Sequence, residues 1–139
     1  MRIVVDASVS AAWCFEDEAS SYTDGVLERI SFDAAIVPII WSFEIANALL
    51  VGMRRGRISE AQAQRAVQLL LDLPISIDET AVSNAWGPIL DLGRDEGLAA
   101  YDACYLELAI RLSLPFATID ARQRDAAVRL NIPLVSVDQ

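Results

Sequence analysis

The chain has no histidine and no lysine; all 11 of its basic residues are arginine. Without histidine, Ser-His-Asp hydrolases, ribonucleases with a histidine base and His-containing zinc sites are excluded. Without lysine, so are P-loop, Schiff-base and Ser-Lys chemistries. The two cysteines, Cys14 and Cys104, sit in apolar, helix-like stretches and read as reduced, buried thiols. No disulfide is expected in a chain without an export signal. No apolar run approaches the ~18 residues of a membrane helix. Asp6 interrupts the apolar start Met1-Arg2-Ile3-Val4-Val5 too early for a signal peptide. These last two readings predict a cytoplasmic protein with no membrane contact.

What remains is a globular composition: 139 residues, 54% hydrophobic and 22% charged. That length suits one domain over residues 1–139 with a core that needs no staples. The formal net charge of −9 does not draw nucleic acid through the overall field, so any such binding is local or uses cations.

Short apolar strands alternate with helices along the chain. Strands are predicted at Ile3-Val4-Val5, Ala35-Ile36-Val37 (stopped by Pro38), Ile75 to Ile77, Phe116 to Ile119 and Leu134 to Val137. Helices are predicted at Ser8 to Phe15, Glu18 to Ile30, Trp41 to Arg55, Glu79 to Leu92, Leu98 to Leu114 and Ala121 to Leu130. Gly87-Pro88 should kink the fourth of these, and Gly93 to Gly97 reads as a charged loop. A further helix opens at Ser59 with a capping box, Gln62 at N3, and an apolar face of Ala63, Ala66, Val67, Leu70 and Leu71. Continuous apolar strands separated by helices imply a mainly parallel sheet covered on both faces, an α/β protein built as a three-layer α/β/α sandwich.

Four acids fall where a polar residue needs a reason. Asp6 and Asp120 end strands, where ligands bind in open α/β sheets. Either could equally serve as the N-cap of the following helix. Glu44 is the only charged residue between Pro38 and Met53, on a helix apolar nearly all round. Buried there unpaired it would cost several kcal/mol, as an order of magnitude, or become protonated. Asn47 shares its face. Asp102 interrupts another apolar helix near its start, where the helix dipole also favours an acid. Glu107, five residues on, is expected to face water. If the four converge, protonation or a divalent cation must relieve their repulsion. Oxygen ligands favour Mg²⁺ or Mn²⁺ over zinc. An ion so held can activate water against a phosphodiester with neither histidine nor lysine.

Val5-Asp6-Ala7-Ser8, Glu44-Ile45-Ala46-Asn47, Tyr101-Asp102-Ala103 and Ala117-Thr118-Ile119-Asp120, in this order over nearly the whole chain, resemble a PIN domain of the VapC type. The resemblance implies a Mg²⁺- or Mn²⁺-dependent endoribonuclease, the toxin of a toxin–antitoxin pair, acting as a homodimer and inhibited by a cognate antitoxin. It implies an acidic quartet of Asp6, Glu44, Asp102 and Asp120, with Asp6 and Asp102 the principal metal ligands. Ser8, Asn47 and Thr118 match supporting polar positions. The family often has a further acid shortly after the fourth; here Arg122 and Arg124 follow Asp120, and Asp125 is the nearest candidate.

Substrate RNA would need local basic groups. Arg54, Arg55 and Arg57 cluster at the end of the Glu44 helix, and Arg122 and Arg124 follow Asp120. The same cluster also suits a helix C-terminus without any ligand. The acidic surface suits an antitoxin with a basic C-terminal segment. Trp13, Trp41 and Trp86 could stack bases but are expected to pack in the core or a dimer interface, as are Tyr101 and Tyr105. Two other readings stand beside this one. A phosphatase with a strand-end aspartate nucleophile would want a lysine and a second acid where Ser8 stands. A PIN-like binding module without turnover would retain the fold alone.

Overall fold

The computed structural model describes residues 1–137. Four short strands form one sheet: β1 (Ile3–Val5), β2 (Ala35–Pro38), β3 (Ile75–Asp78) and β4 (Phe116–Ala117). Their order is β3-β2-β1-β4 and every pairing is parallel. The helices are α1 (Ala7–Ala12), α2 (Ser21–Asp33), α3 (Ile40–Arg54), α4 (Glu60–Asp72), α5 (Leu90–Glu96), α6 (Ala100–Leu112) and α7 (Ala121–Arg129). The sheet and its helices form the three-layer α/β/α sandwich.

Burial follows position in the sheet. β1 and β2 are interior strands of Ile, Val and Ala, and every residue of β1 is fully buried. β3 is an edge and only half-covered, with Ile77 exposed. Pro38 does not stop β2 early but ends it as a paired residue, opposite Asp78. The last predicted strand, Leu134 to Val137, reduces to a single bridge between Leu134 and Phe116. β4 likewise stops at Ala117, because Thr118 and Asp120 turn the chain into α7.

The Ser59 capping box forms. Ser59 Oγ accepts from Gln62 N at 3.1 Å while Gln62 Oε1 accepts from Ser59 N at 2.7 Å. α2 starts later than Glu18, at Ser21, because Ser20 caps it with Thr23; a 3₁₀ turn occupies Glu16–Glu18. The Ser8 to Phe15 helix ends at Ala12. Of the face predicted for α4, Ala63, Ala66 and Leu70 are buried, whereas Val67 and Leu71 are exposed.

The segment from Glu79 departs most from expectation. A 3₁₀ turn (Thr80–Val82) is followed by a π-helical turn (Ala85–Ile89) containing Pro88. Proline offers no N–H to the ladder, and the widened turn closes instead from Ile89 N to Asn84 O at 3.2 Å. Residues 93–96, expected as loop, are the end of α5, and Gly97 stops it at φ 66°, where a Cβ would be strained.

α3 is not a core helix on all sides. Trp41, Ile45, Leu49 and Gly52 are buried, while Phe43, Ala46, Asn47 and Leu50 face out. Trp41 donates to Ser10 Oγ at 2.9 Å and Trp13 to the Thr23 carbonyl at 2.8 Å, so both are structural. Tyr105 packs fully buried against Phe116, whereas Tyr101 is exposed. Trp86 was expected in a core or interface; it is 93% exposed on the π-helical turn.

Candidate acidic site

The chain builds outward from β1 through β2 to β3, then returns to the other side of β1 for β4. The strand order therefore reverses between β1 and β4, and a crevice forms beyond the carboxyl ends of strands at such a point. Asp6 follows β1 and Asp120 lies just past β4, so both acids stand at this crevice.

Each of these aspartates also caps a helix. Asp6 Oδ2 accepts from Ser8 N at 3.3 Å, and Asp120 Oδ1 accepts from Gln123 N at 3.0 Å. The capping role and a place at the crevice are not alternatives here. A carboxylate has room for about four acceptor contacts, and capping uses one.

Asp6 is 4% exposed. Burial pushes its carboxyl above the ordinary value, against hydrogen bonds from Ser8, Thr118 and Gln123 that favour the charged form. Thr118 Oγ1 lies 3.1 Å from Asp6 Oδ2 and 3.0 Å from Gln123 Oε1, and it accepts Asp120 N at 3.0 Å. One hydroxyl proton cannot serve two acceptors at once, so Asp6 and Gln123 compete for the Thr118 hydroxyl.

The two helical acids come from the other side. Glu44 on α3 is half-buried, and its Oε1 accepts the Tyr105 hydroxyl at 2.6 Å. Tyr105 lies three residues after Asp102 on α6, hence on the same face, so one helix supplies an acid and the donor that steers another. Burial raises Glu44, the Tyr105 hydrogen bond opposes this, and the charges of Asp6 and Asp102 raise it further. Burial also raises Asp102, reinforced by Asp6 and Asp120 and opposed by Arg122. These acids from β1, α3, α6 and the β4 end thus lie within reach of one another's charge. Nearby Cys104 is pushed up to about 11, first by burial and then by Glu107, Glu44 and Asp102, so it stays a neutral thiol. Cys104 and Cys14 are both free.

The supporting positions divide. Ser8 Oγ accepts Ile119 N at 3.3 Å and lies 3.5 Å from Thr118 Oγ1, tying α1 to the β4 end. Asn47 is exposed on α3, and the hydrogen bonds of the four acids do not include it. Arg57 is committed elsewhere: it pairs with Asp17 and Glu18, each at 2.9 Å, and its guanidinium lies 4.3 Å from the centre of the Phe15 ring. Arg54 and Arg55 are exposed at the end of α3. Arg122 is exposed and offsets the charge around Asp102. Arg124 borders a cavity of about 320 Å³ with Tyr22, Thr118, Ile119, Leu134 and Val135. Asp125 is exposed on α7.

Glu107 does not face water. It is 5% exposed and held by Arg111 Nε at 2.8 Å and Asn84 Nδ2 at 2.9 Å. Arg111 also reaches Asp78 at 2.6 Å. The π-helical turn places Asn84 there, which sequence periodicity does not show.

Two polar partners of the site do not follow from the sequence pattern: Tyr105, expected only to pack or stack, as a donor to Glu44, and Gln123. Gln123 is fully buried beside Asp6 and Asp102. Its signal was present: it shares the inward, 3- and 4-spaced face of α7 with Ala126 and Ala127.

Among the described residues no three Asp, Glu, Cys or His side chains stand close enough to share a metal ion as placed. The donor chemistry nevertheless suits a hard divalent cation. The gathered groups are carboxylates whose mutual charge is opposed only in part, by Arg122. No helix among the described residues is long and apolar enough to cross a membrane.

A buried strand-end aspartate, a second acid at the strand-order reversal and two helical acids converging on them define an acid-lined α/β/α domain. The PIN domain model matches residues 3–129, and the chain belongs to that family. It is 26% identical over 124 residues to Ribonuclease VapC3 of Pyrobaculum aerophilum, covering 86% of this chain and 90% of that protein. Its fold is similar to the crystal structure of PAE2754 from Pyrobaculum aerophilum. The TM-score is 0.67 at 21% identity, over 91% of this chain and 84% of that one.

Proposed function

We propose that this protein is a Mg²⁺- or Mn²⁺-dependent endoribonuclease, the toxin of a toxin–antitoxin pair. The observation that carries the reading is the gathering of Asp6, Glu44, Asp102 and Asp120 at the β1–β4 crevice, with Asp6 buried and three of the four held above their ordinary pKa. A lone N-cap does not require such company. The similarity to Ribonuclease VapC3 supports RNA as the substrate.

Asp6 and Asp102 would hold the ion, with Glu44 and Asp120 completing the set. When bound, a divalent ion supplies water activation and offsets charge developing on the phosphodiester. The chain's own residues set the stage. Thr118 and Ser8 fix the β4 end against Asp6, and Tyr105 fixes Glu44. Hydrolysis adds water across a P–O bond, and the acids remain to take up the released proton. With Arg57 engaged, Arg54, Arg55, Arg122 and Arg124 are the groups left to contact phosphates.

Two partner readings belong to this proposal. A second copy of the chain would cover the exposed apolar face of α3, including Phe43 and Leu50. A cognate antitoxin with a basic C-terminal segment would be drawn to the chain's net negative charge, and an arginine from it could enter among the carboxylates.

The test is cleavage of single-stranded and structured RNA with Mg²⁺, with Mn²⁺ and with chelator, by wild type and by Asp102→Asn. Ion-dependent internal cleavage by wild type alone is expected. Equal cleavage by the variant, or in chelator, would remove the proposal. Growth arrest on expression, relieved by a small basic-tailed protein from the adjoining reading frame, tests the toxin role.

A further inference from the structure

Two helices of the chain, α4 and α7, open on a capping residue with a glutamine three positions on, and the two glutamines do different things. The first runs Ser59-Glu60-Ala61-Gln62, and its exposed glutamine folds back onto the cap's own backbone N–H. The second runs Asp120-Ala121-Arg122-Gln123. Its backbone half forms, Gln123 N donating to Asp120 Oδ1 at 3.0 Å. Its side-chain half does not: Thr118 Oγ1 takes the Asp120 N–H, at 3.0 Å. Gln123 is thereby released to turn inward, where it is fully buried. Its Nε2 lies 3.5 Å from Asp6 Oδ1 and 3.4 Å from the Asp102 carbonyl, and its Oε1 lies 3.0 Å from Thr118 Oγ1.

We propose that Gln123 is a positioning residue for the acidic site, a single buried amide that sets the separation of Asp6 and Asp102. It touches the β1 end, the first turn of α6 and the turn after β4, three segments remote in sequence. Burying an amide costs free energy unless its hydrogen bonds are made, so the cost favours the one arrangement in which all are made. An apolar residue would fill the space and cap the helix equally well through its backbone. It would leave Asp6 and α6 free to drift, and a drift of this kind weakens the grip of a carboxylate site on an ion. The inference rests on the proposed ribonuclease reading for its kinetic consequence, though its binding consequence is independent of RNA.

The experiment compares wild type with Gln123→Leu and Gln123→Met. The readouts are Mn²⁺ binding by calorimetry without RNA, kcat and KM on RNA, and the unfolding midpoint. Mn²⁺ affinity and kcat should each fall by about 10–100-fold, with KM and the midpoint little changed. A folded variant of either kind that keeps Mn²⁺ affinity and kcat within twofold of wild type overturns the proposal. The wild-type protein supplies a readout that needs no variant: on titration with Mg²⁺ the side-chain amide resonances of Gln123 should shift while those of Gln62 stay in place. Unmoved Gln123 resonances on a saturating titration overturn it as well. Wild type that binds Mn²⁺ yet leaves RNA intact defeats the ribonuclease reading alone, because the affinity comparison still decides the role of Gln123.

Discussion

Tyr105 gives its hydroxyl proton to Glu44 Oε1 across 2.6 Å, joining the middle of α6 to α3. The tyrosine is fully buried and its own ionisation is pushed far up, by burial first and then by Glu44. It is therefore a fixed donor at every working pH. Tyr105→Phe keeps the ring and removes the donor. Loss of a hydrogen bond to a charged, half-buried carboxylate should cost about 1.5–3 kcal/mol in denaturant unfolding. A variant as stable as wild type would show that water replaces the tyrosine.

Asp6→Asn separates structure from chemistry at one residue. Asparagine caps helices as well as aspartate does, so α1 should keep its start. A buried charge is also removed. The unfolding midpoint in chelator should stay level or rise, while RNA cleavage falls below detection. Retained cleavage in a folded protein would show that Asp6 is only a cap.

The raised acids give stability a pH dependence whose sign is fixed. Asp6, Glu44 and Asp102 keep their protons in the folded state above ordinary values of 3.8, 4.5 and 3.8. The folded chain then binds more protons than the unfolded one, and stability falls as pH rises through the window between ordinary and raised values. Asp78 works the other way. Burial would raise it, but Arg111 and Thr80 outweigh that and hold it below 3.8, so its contribution is lost only in more acidic solution. In chelator, the denaturant midpoint should fall as pH is raised from the ordinary carboxylate range toward neutrality. A flat or rising profile between them would count against the crowding of the acids.

Arg111 stands between Asp78 and Glu107, whose side chains are 10% and 6% exposed. Arg111→Met would strand Glu107 in the interior with only Asn84 as donor. Breaking one side of such a buried ion pair costs about 3–5 kcal/mol. A loss below about 1 kcal/mol, the range of a surface pair, would place the network in effective contact with solvent.

Salt dependence sorts the arginines. Binding of an uncleavable RNA should weaken on alanine substitution of Arg122 or Arg124 close to Asp120, or of Arg54 or Arg55. The slope of log affinity against log salt should shrink by about one for each lost phosphate contact. Arg57→Ala should leave that slope unchanged, because its guanidinium already serves Asp17 and Glu18. A reduced slope for Arg57→Ala would mean that RNA competes for those pairs.

Much of this was written locally. The apolar run Ile3-Val4-Val5, the Ser59 box and the strand-then-aspartate pattern of Asp6 each depend on a few neighbours, and each appears where the residues place it. Glu44 and Asp102 could be singled out because a charge inside an apolar helix is costly wherever that helix packs. Length and pairing of weak elements were less legible. Leu134 to Val137 has the composition of a strand but meets the sheet at one bridge, and residues 93–96 look like loop yet complete a helix.

The sequence by itself determined the alternation of strand and helix, the starts of the capped helices and the inventory of acids without lysine or histidine, because propensity, capping and ionisation are properties of short segments. Only the tertiary structure decided that β4 lies beside β1, which puts Asp120 across from Asp6. It alone decided that Glu107 turns inward to Arg111, and that Gln123 leaves its cap for the acids. The last two are each a choice between two places for one polar group. What settles it is which place offers partners when water is gone, and those partners come from distant parts of the chain.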